Sequence, residues 1–243
     1  MRIVTLNAWK NEGRYDRRLA LMAEGLAALA PDVVCLQEAF QAQGFDTAAR
    51  LGEALGLSVS TEPARQKLRL HEGRLLDSAS GLAILSRAPP QARGRIALPS
   101  APADGERIAQ WIQATPDLRI LNLHLTHLRG ADASVLRGRQ LAHALAEAAS
   151  PGSGLLVVGD FNALASAPEL AAVAAGLDPA APSTLQGERA SPITQTRGAI
   201  DHAILVEAGH WRLVSRVNAL DQPDADGFFP SDHAAVVADL API

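Results

Sequence analysis

The chain has 243 residues, 48% of them hydrophobic and 20% charged, enough apolar material for a substantial core and too much for a disordered chain. A net charge of −4 at pH 7 and 4% aromatic residues argue against a protein that is basic as a whole and against a long base-stacking platform. The single cysteine, Cys35, excludes an intramolecular disulfide and a cysteine-based metal cluster.

Residues 2–8 (RIVTLNA) read as a strand. Residues 16–30 read as a helix, because Leu19, Met22, Leu26 and Leu29 recur at helical spacing; Asp16 is placed to cap it and Pro31 to stop it. PDVVCLQE (31–38) is a short buried strand ending in a carboxylate. A second helix fits 46–56, capped by Asp46. Strands follow near 57–62, 80–86, 106–115 and 118–125. Residues 132–149 form a helix that ends at SPGSG, and LLVVGD (155–160) is another buried strand ending in a carboxylate. A short helix at 167–176 precedes strands at 199–206, 211–218 and 231–240.

Strands outnumber helices and many are apolar throughout. That predicts two sheets packed face to face with helices outside, in a single domain over residues 1–243. No run approaches the roughly 18–20 apolar residues of a membrane span, and nothing precedes the first strand. The expectation is a cytoplasmic protein without a leader. Basic residues divide into twenty Arg and two Lys, which in so alanine-rich a chain reads as coding bias.

The apolar strands share a feature: each ends or begins with an ionisable or amide residue. These are Asn7, Glu38, His124, Asp160 with Asn162, Asp201 with His202, and Asp232 with His233. Any one of them is explained as a cap, a turn residue or a solvated strand end. Six such positions, all at termini that a sandwich brings to one edge, point to a site. Glu38, Asp160, Asp201 and Asp232 offer hard oxygen ligands suited to Mg²⁺ or Mn²⁺. His124 and His233 can donate to phosphate oxygens or move protons. The zinc-hydrolase helix motifs, the phosphate-binding glycine loops and the G-x-S-x-G elbow are all missing from the sequence.

LNAW (6–9), LQE (36–38), GLAILSR (81–87), NLHL (122–125), GDFNA (159–163), IDHAIL (200–205) and SDHAAV (231–236) together resemble the endonuclease/exonuclease/phosphatase superfamily in order and spacing. The resemblance implies an α+β fold of the DNase I-like kind: a four-layered αββα sandwich with two mainly antiparallel sheets. It also implies Mg²⁺- or Mn²⁺-dependent phosphoester hydrolysis. By motif, Glu38 resembles the main metal ligand, with Asn7 on the ion or just behind it and Asp232 as a further carboxylate. Asp160 resembles the residue that holds or activates the attacking water, and Asn162 the one that steadies it. His233 resembles the base or phosphate-contacting histidine, oriented by Asp201, and His124 a phosphate contact. Whether Asp160 or the His233–Asp201 pair takes the proton stays open at this stage. Trp9 stands where some members carry a further carboxylate, which favours a single ion held mostly by Glu38.

Other features carry less. Arg65, Lys67, Arg69 and His71 alternate as they would on one face of a strand, and a solvated edge hairpin explains them better than an anion-facing one. Phe228 and Phe229 read as a plug under the loop 221–233 rather than a substrate contact, and the DADG string there lacks the downstream Glu of a calcium loop. His202 faces away from Asp201 by alternation and reads as structural; His127 either reaches the site or faces water. His71, His143 and His210 belong to no constellation. The expected substrate is a phosphoester, with a diester the favoured bond. The acidic balance turns the choice toward a small-molecule or lipid-headgroup substrate and away from DNA or RNA. A non-catalytic binding module is disfavoured, because Glu38, Asp160, Asn162 and His233 are all in place.

Overall fold

The computed structural model describes residues 1–189 and 198–243. In chain order the strands are β1 (Arg2–Asn7), β2 (Val33–Ala42), β3 (Phe45–Asp46), β4 (Ser58–Glu62), β5 (Lys67–His71), β6 (Arg74–Ser86), β7 (Ala92–Ala97), β8 (Ile108–Thr115), β9 (Leu118–His124), β10 (Gly154–Asp160), β11 (Asp201–Glu207), β12 (Trp211–Ala219) and β13 (Ala235–Pro242). The α-helices are α1 (Tyr15–Leu29), α2 (Thr47–Leu55) and α3 (Ala131–Ala148), and a 3-10 helix spans Pro168–Gly176.

The strands form two sheets. The first runs β12-β13-β1-β2-β6-β4, with β3 beside β2 and β5 beside β6; the second runs β11-β10-β9-β8-β7. Pairing is antiparallel except between β1 and β2 and between β9 and β10. Ile3, Val33, Cys35 and Ile84 of the first sheet meet Ile112, Ile120, Leu156 and Val158 of the second in an apolar middle layer. The other face of the first sheet (Val4, Leu6, Val34, Leu36) packs on Leu19, Met22 and Leu26 of α1 and Leu51 of α2. The other face of the second (Leu121, Leu123, Val157) packs on Leu141 and Ala144 of α3 and on Leu170 and Val173 of the 3-10 helix. This is the four-layered αββα sandwich. Central strands are covered on both faces, so they are apolar at nearly every position instead of alternating.

Several local expectations need correction. Asp16 does not cap α1: the helix starts at Tyr15 after Arg14, with no side-chain cap, and Asp16 sits inside the first turn. Asp46 does cap α2, accepting the Ala49 N–H at 2.9 Å. The short helix at 168–176 is a 3-10 helix, with Pro168 at its start. The last strand begins at Ala235 rather than 231. Glu38 does not end its strand: β2 continues to Ala42, and Glu38 sits at a bulge where the pairing with β6 shifts register between Leu36 and Ala39.

One buried polar network crosses the apolar middle. Gln37 Nε2 donates to Thr5 Oγ1 (2.9 Å) and to Asn122 Oδ1 (2.7 Å), and Asn122 Nδ2 donates to the carbonyls of Leu36 (3.0 Å) and Ala83 (3.2 Å). It joins β1, β2 and β6 to β9 beside the Glu38 bulge, where the ladder leaves carbonyls unpaired. That is why two amides are buried there.

Candidate active site

The ends of β1, β9 and β10, the β2 bulge and the segment before β13 meet at one edge of the sandwich. They enclose a cavity of about 220 Å³ lined by Asn7, Trp9, Lys10, Glu38, Arg65, His124, His127, Asp160, Asn162, Asp232 and His233. Seven of the eight residues singled out in the sequence line it. The eighth, Asp201, lies directly behind His233.

The backbone is strained here. Eight non-glycine residues among those described have a left-handed φ, and five of them line this cavity: Trp9, Lys10, Glu38, Arg65 and Asn162. Such conformations cost free energy and persist where the surrounding structure fixes them, as around functional sites. At Glu38 (φ 51°) the bulge turns the carboxylate into the cavity. Gly159, just before Asp160, makes β9 and β10 approach closely; a Cβ there would collide with the Leu123 carbonyl.

Asp160 is held from three sides. It accepts from Asn7 Nδ2 (3.0 Å, to Oδ2) and from the Asn162 N–H (2.8 Å, to Oδ1), and His124 Nε2 lies 3.5 Å from Oδ2. Burial raises the Asp160 carboxyl above its usual range, and the nearby charge of Asp201 adds to this. Asn7 is itself fixed, its Oδ1 accepting the Trp9 N–H at 2.9 Å. His233 donates Nδ1–H to Asp201 Oδ2 at 2.8 Å. Burial opposes charge on His233, but the charge and hydrogen bond of Asp201, with Asp160 and Asp232 beyond, push it up to about 10. Burial, together with the cations Arg107 and Arg65, holds His124 well below the usual histidine range, so it is a neutral imidazole.

Glu38 and Asp232 face the same space. Burial pushes Asp232 up to about 6, with His233 opposing and Glu38 contributing. Glu38 Oε2 lies 3.0 Å from Lys10 Nζ, an ion pair without an aligned hydrogen bond. Crowded carboxylates of this kind suit a divalent cation. Ligand atoms of Asp160, Asp201 and His233 also lie within 4.8 Å of one another. In that trio Asp201 Oδ2 is already bonded to His233 while its Oδ1 has no partner, and Glu38 and Asp232 line the same cavity beside it.

The structure adds residues that the sequence did not mark. Arg18 is fully buried, and its guanidinium donates to the carbonyls of Ala8, Trp9, Lys10, Glu12 and Pro230 at 2.9–3.3 Å, tying the loop after β1 to the segment before Asp232. Ser231 Oγ donates to the Asn7 carbonyl at 2.5 Å. Arg18 lies on the buried face of α1 with Leu19, Met22 and Leu26, and helical spacing alone does not reveal which loops it bonds. The hairpin reading is corrected: Arg69 and His71 point inward and are buried, while Leu68 and Leu70 are exposed. Arg65, at the head of that stretch, reaches the cavity, and so does His127. His202 is structural as expected, edge-on to Phe161 with Nε2 at 2.9 Å from the Ala163 carbonyl. Phe228 and Phe229 are buried, with Arg14, Arg17 and Arg189 around the Phe228 ring.

The endonuclease/exonuclease/phosphatase family matches residues 4–233, and the chain belongs to that family. It is thereby an enzyme of the phosphoesterase class. Among solved structures, a conserved protein of unknown function from Enterococcus faecalis V583 superposes with a TM-score of 0.75 at 21% identity, covering 100% of both chains. A mannosyl-6-phosphatase from Bacteroides thetaiotaomicron gives 0.72 at 19% identity, over 99% of each chain. The human Nocturnin catalytic domain with bound sulfate gives 0.70 at 20% identity, over 100% of this chain and 94% of that one. No curated protein sequence matches this chain. Among the described residues no helix is long and apolar enough to cross a membrane.

Proposed function

We propose that the chain is a divalent-metal-dependent phosphodiesterase acting on a small-molecule or lipid-headgroup phosphoester by direct attack of water. The observation that carries this is the triple hold on Asp160 opposite the His233–Asp201 pair, in one cavity with Glu38. A raised carboxyl fixed by two N–H donors is suited to orient a water and take its proton. His233, charged at neutral pH, donates from Nε2 to a phosphate oxygen, and neutral His124 has one N–H to give, to Asp160 or to the incoming phosphate. Asn162, whose Nδ2 donates to the Leu125 carbonyl at 3.1 Å, steadies the water beside Asp160. Glu38 and Asp232 would hold Mg²⁺ or Mn²⁺, with Asn7 fixing Asp160 beside it. When bound, the ion offsets phosphate charge and that of the departing oxygen.

The nuclease reading is second. Lys10, Arg65 and Arg107 bring positive charge to the cavity or its wall, which favours it, and the net charge of −4 opposes it. The mannosyl-6-phosphatase that shares the fold keeps phosphate monoesters among the substrates to compare. The test is hydrolysis of bis(p-nitrophenyl) phosphate and p-nitrophenyl phosphate with Mg²⁺, Mn²⁺ or EDTA, beside Asp160→Asn. Metal-dependent diester turnover that the variant loses supports the proposal. Preference for the monoester replaces it with a phosphatase, and cleavage confined to DNA or RNA, steeply reduced by salt, replaces it with a nuclease.

A further inference from the structure

We propose that Arg65 forms, with His127, a second subsite that receives a further anionic group of the substrate, a phosphate or a carboxylate, beside the scissile phosphoester. The inference rests on the phosphoesterase reading of the adjoining cavity. Arg65 is the residue at which two cavities meet. On one side is the catalytic cavity. On the other is a larger cavity of about 620 Å³, walled by Arg65–Lys67 and by Pro102–Glu106. A molecule whose phosphoester sits between Glu38 and His233 therefore has room to extend past Arg65.

The charges along this path are mostly spoken for. Lys10 faces Glu38. Arg107 is paired with Asp104 at 2.7 Å, and Arg95 with Glu106. The acidic residues of the larger cavity are thus already matched by cations. Among the described residues, the guanidinium of Arg65 makes no hydrogen bond and no ion pair. Arginine remains charged in proteins, so a half-buried, unmatched guanidinium favours an anion.

Arg65 is also held in place. Its backbone is left-handed (φ 53°), its N–H donates to Glu106 Oε2 at 3.3 Å, and its carbonyl accepts from Arg69 Nη2 at 3.1 Å. Gly81 of β6 lets the Glu62–Ala64 backbone, which delivers Arg65, pass close by; a Cβ there would collide with the Glu62 carbonyl. His127 supplies a neutral donor on the same rim. Its Nδ1 lies 2.7 Å from Arg107 Nη2, and because Arg107 can only donate, Nδ1 accepts and Nε2 carries the proton. An anion between Arg65 and His127 would receive charge-assisted and neutral hydrogen bonds together.

The test compares equilibrium binding of inorganic phosphate, phosphoglycolate and pyrophosphate by titration calorimetry at fixed free Mg²⁺, on the wild-type chain and on Arg65→Asn and Arg65→Lys. Asn suits a left-handed backbone, and Lys keeps the charge. In the wild type, phosphoglycolate or pyrophosphate should bind about tenfold more tightly than phosphate. Preference for phosphoglycolate alone assigns a carboxylate, and for pyrophosphate alone a phosphate. Arg65→Asn should bring the ratio close to one, and Arg65→Lys should retain part of it. Equal binding of all three by the wild type overturns the proposal, as does a ratio that Arg65→Asn leaves unchanged. Because the readout is a ratio of affinities, it is independent of the chromogenic turnover that tests the phosphoesterase reading.

Discussion

His233 and Asp201 are joined by a 2.8 Å hydrogen bond, yet His233 precedes β13 of the first sheet and Asp201 opens β11 of the second. Asn7 and Asp160 repeat the relationship at 3.0 Å between β1 and β10. The candidate site is therefore a seam: each sheet brings one member of both of these pairs. Asp201→Asn keeps the shape but replaces a carboxylate acceptor with an amide that cannot stabilise the imidazolium. The expected result is a fall in kcat of about 10²–10⁴, with KM changing less. Steady-state kinetics on the chromogenic diester check it, and an unchanged kcat would remove Asp201 from the mechanism.

Asp232 is costly to keep charged without a cation. Its carboxyl, raised by burial to about 6, is ionised at pH 7 in the fold but is disfavoured relative to the unfolded chain. Asp232→Asn should raise the Tm measured in EDTA by a few degrees, and it should abolish the further rise that Mg²⁺ gives the wild type. Thermal melts with and without Mg²⁺ on both proteins decide this. A variant that melts lower in EDTA contradicts the reasoning.

Glu169 ties the 3-10 helix to α3. It accepts from Arg137 Nε and Ser134 Oγ, both at 2.8 Å. Burial alone would raise its carboxyl; its backbone hydrogen bond and the bonds from Ser134 and Arg137 outweigh this and hold it below the usual value of 4.5. A carboxyl depressed on folding contributes stability above pH about 4.5, and that contribution is lost as pH falls through the folded value. The difference in urea-unfolding free energy between wild type and Glu169→Gln should be largest at neutral pH and shrink on acidification. A difference that grows toward acid would show the sign to be wrong.

Asn122→Ala would leave the Leu36 and Ala83 carbonyls and the Gln37 amide without their partner inside the sandwich. The expected loss is about 2–4 kcal/mol in urea unfolding, from unsatisfied polar groups plus a small void. A loss below about 1 kcal/mol would mean that water takes its place.

Arg18→Lys tests the anchoring of the loop after β1. One ammonium cannot serve five carbonyls that a planar guanidinium reaches together. Stability should fall by about 2–4 kcal/mol, and kcat should fall with it because Asn7 and Asp232 lose their mutual register. Activity retained in full at temperatures where the variant stays folded would limit Arg18 to a structural role.

Much of the site was legible because its residues sit where apolar strands stop. Asn7, His124, Asp160 and Asp201 close or open strands, and burial makes a polar residue at such a point conspicuous. Glu38 belongs to the set for another reason. It lies inside β2, brought inward by a bulge that the one-dimensional pattern of PDVVCLQE does not show. Lys10 and Arg18 were not legible, since their positions depend on contacts with distant segments, and Arg65 was marked only within a stripe read as solvated. The hairpin misled for a physical reason: alternation was right, but it is the basic face that turns inward, with Arg69 bonding Ser78 and His71 packing among Tyr15, Phe40 and Phe45.

The adjacency of β1 and β13 has a consequence for how activity is acquired. Asn7 is made more than 200 residues before its neighbours Asp232 and His233, and β13 can pair with β1 only after they have emerged. A partly synthesised chain can form α1, β2 and even the second sheet while lacking the histidine and carboxylate that complete the seam. A chain that stops short of Asp232 should therefore show no hydrolysis, whatever secondary structure it forms.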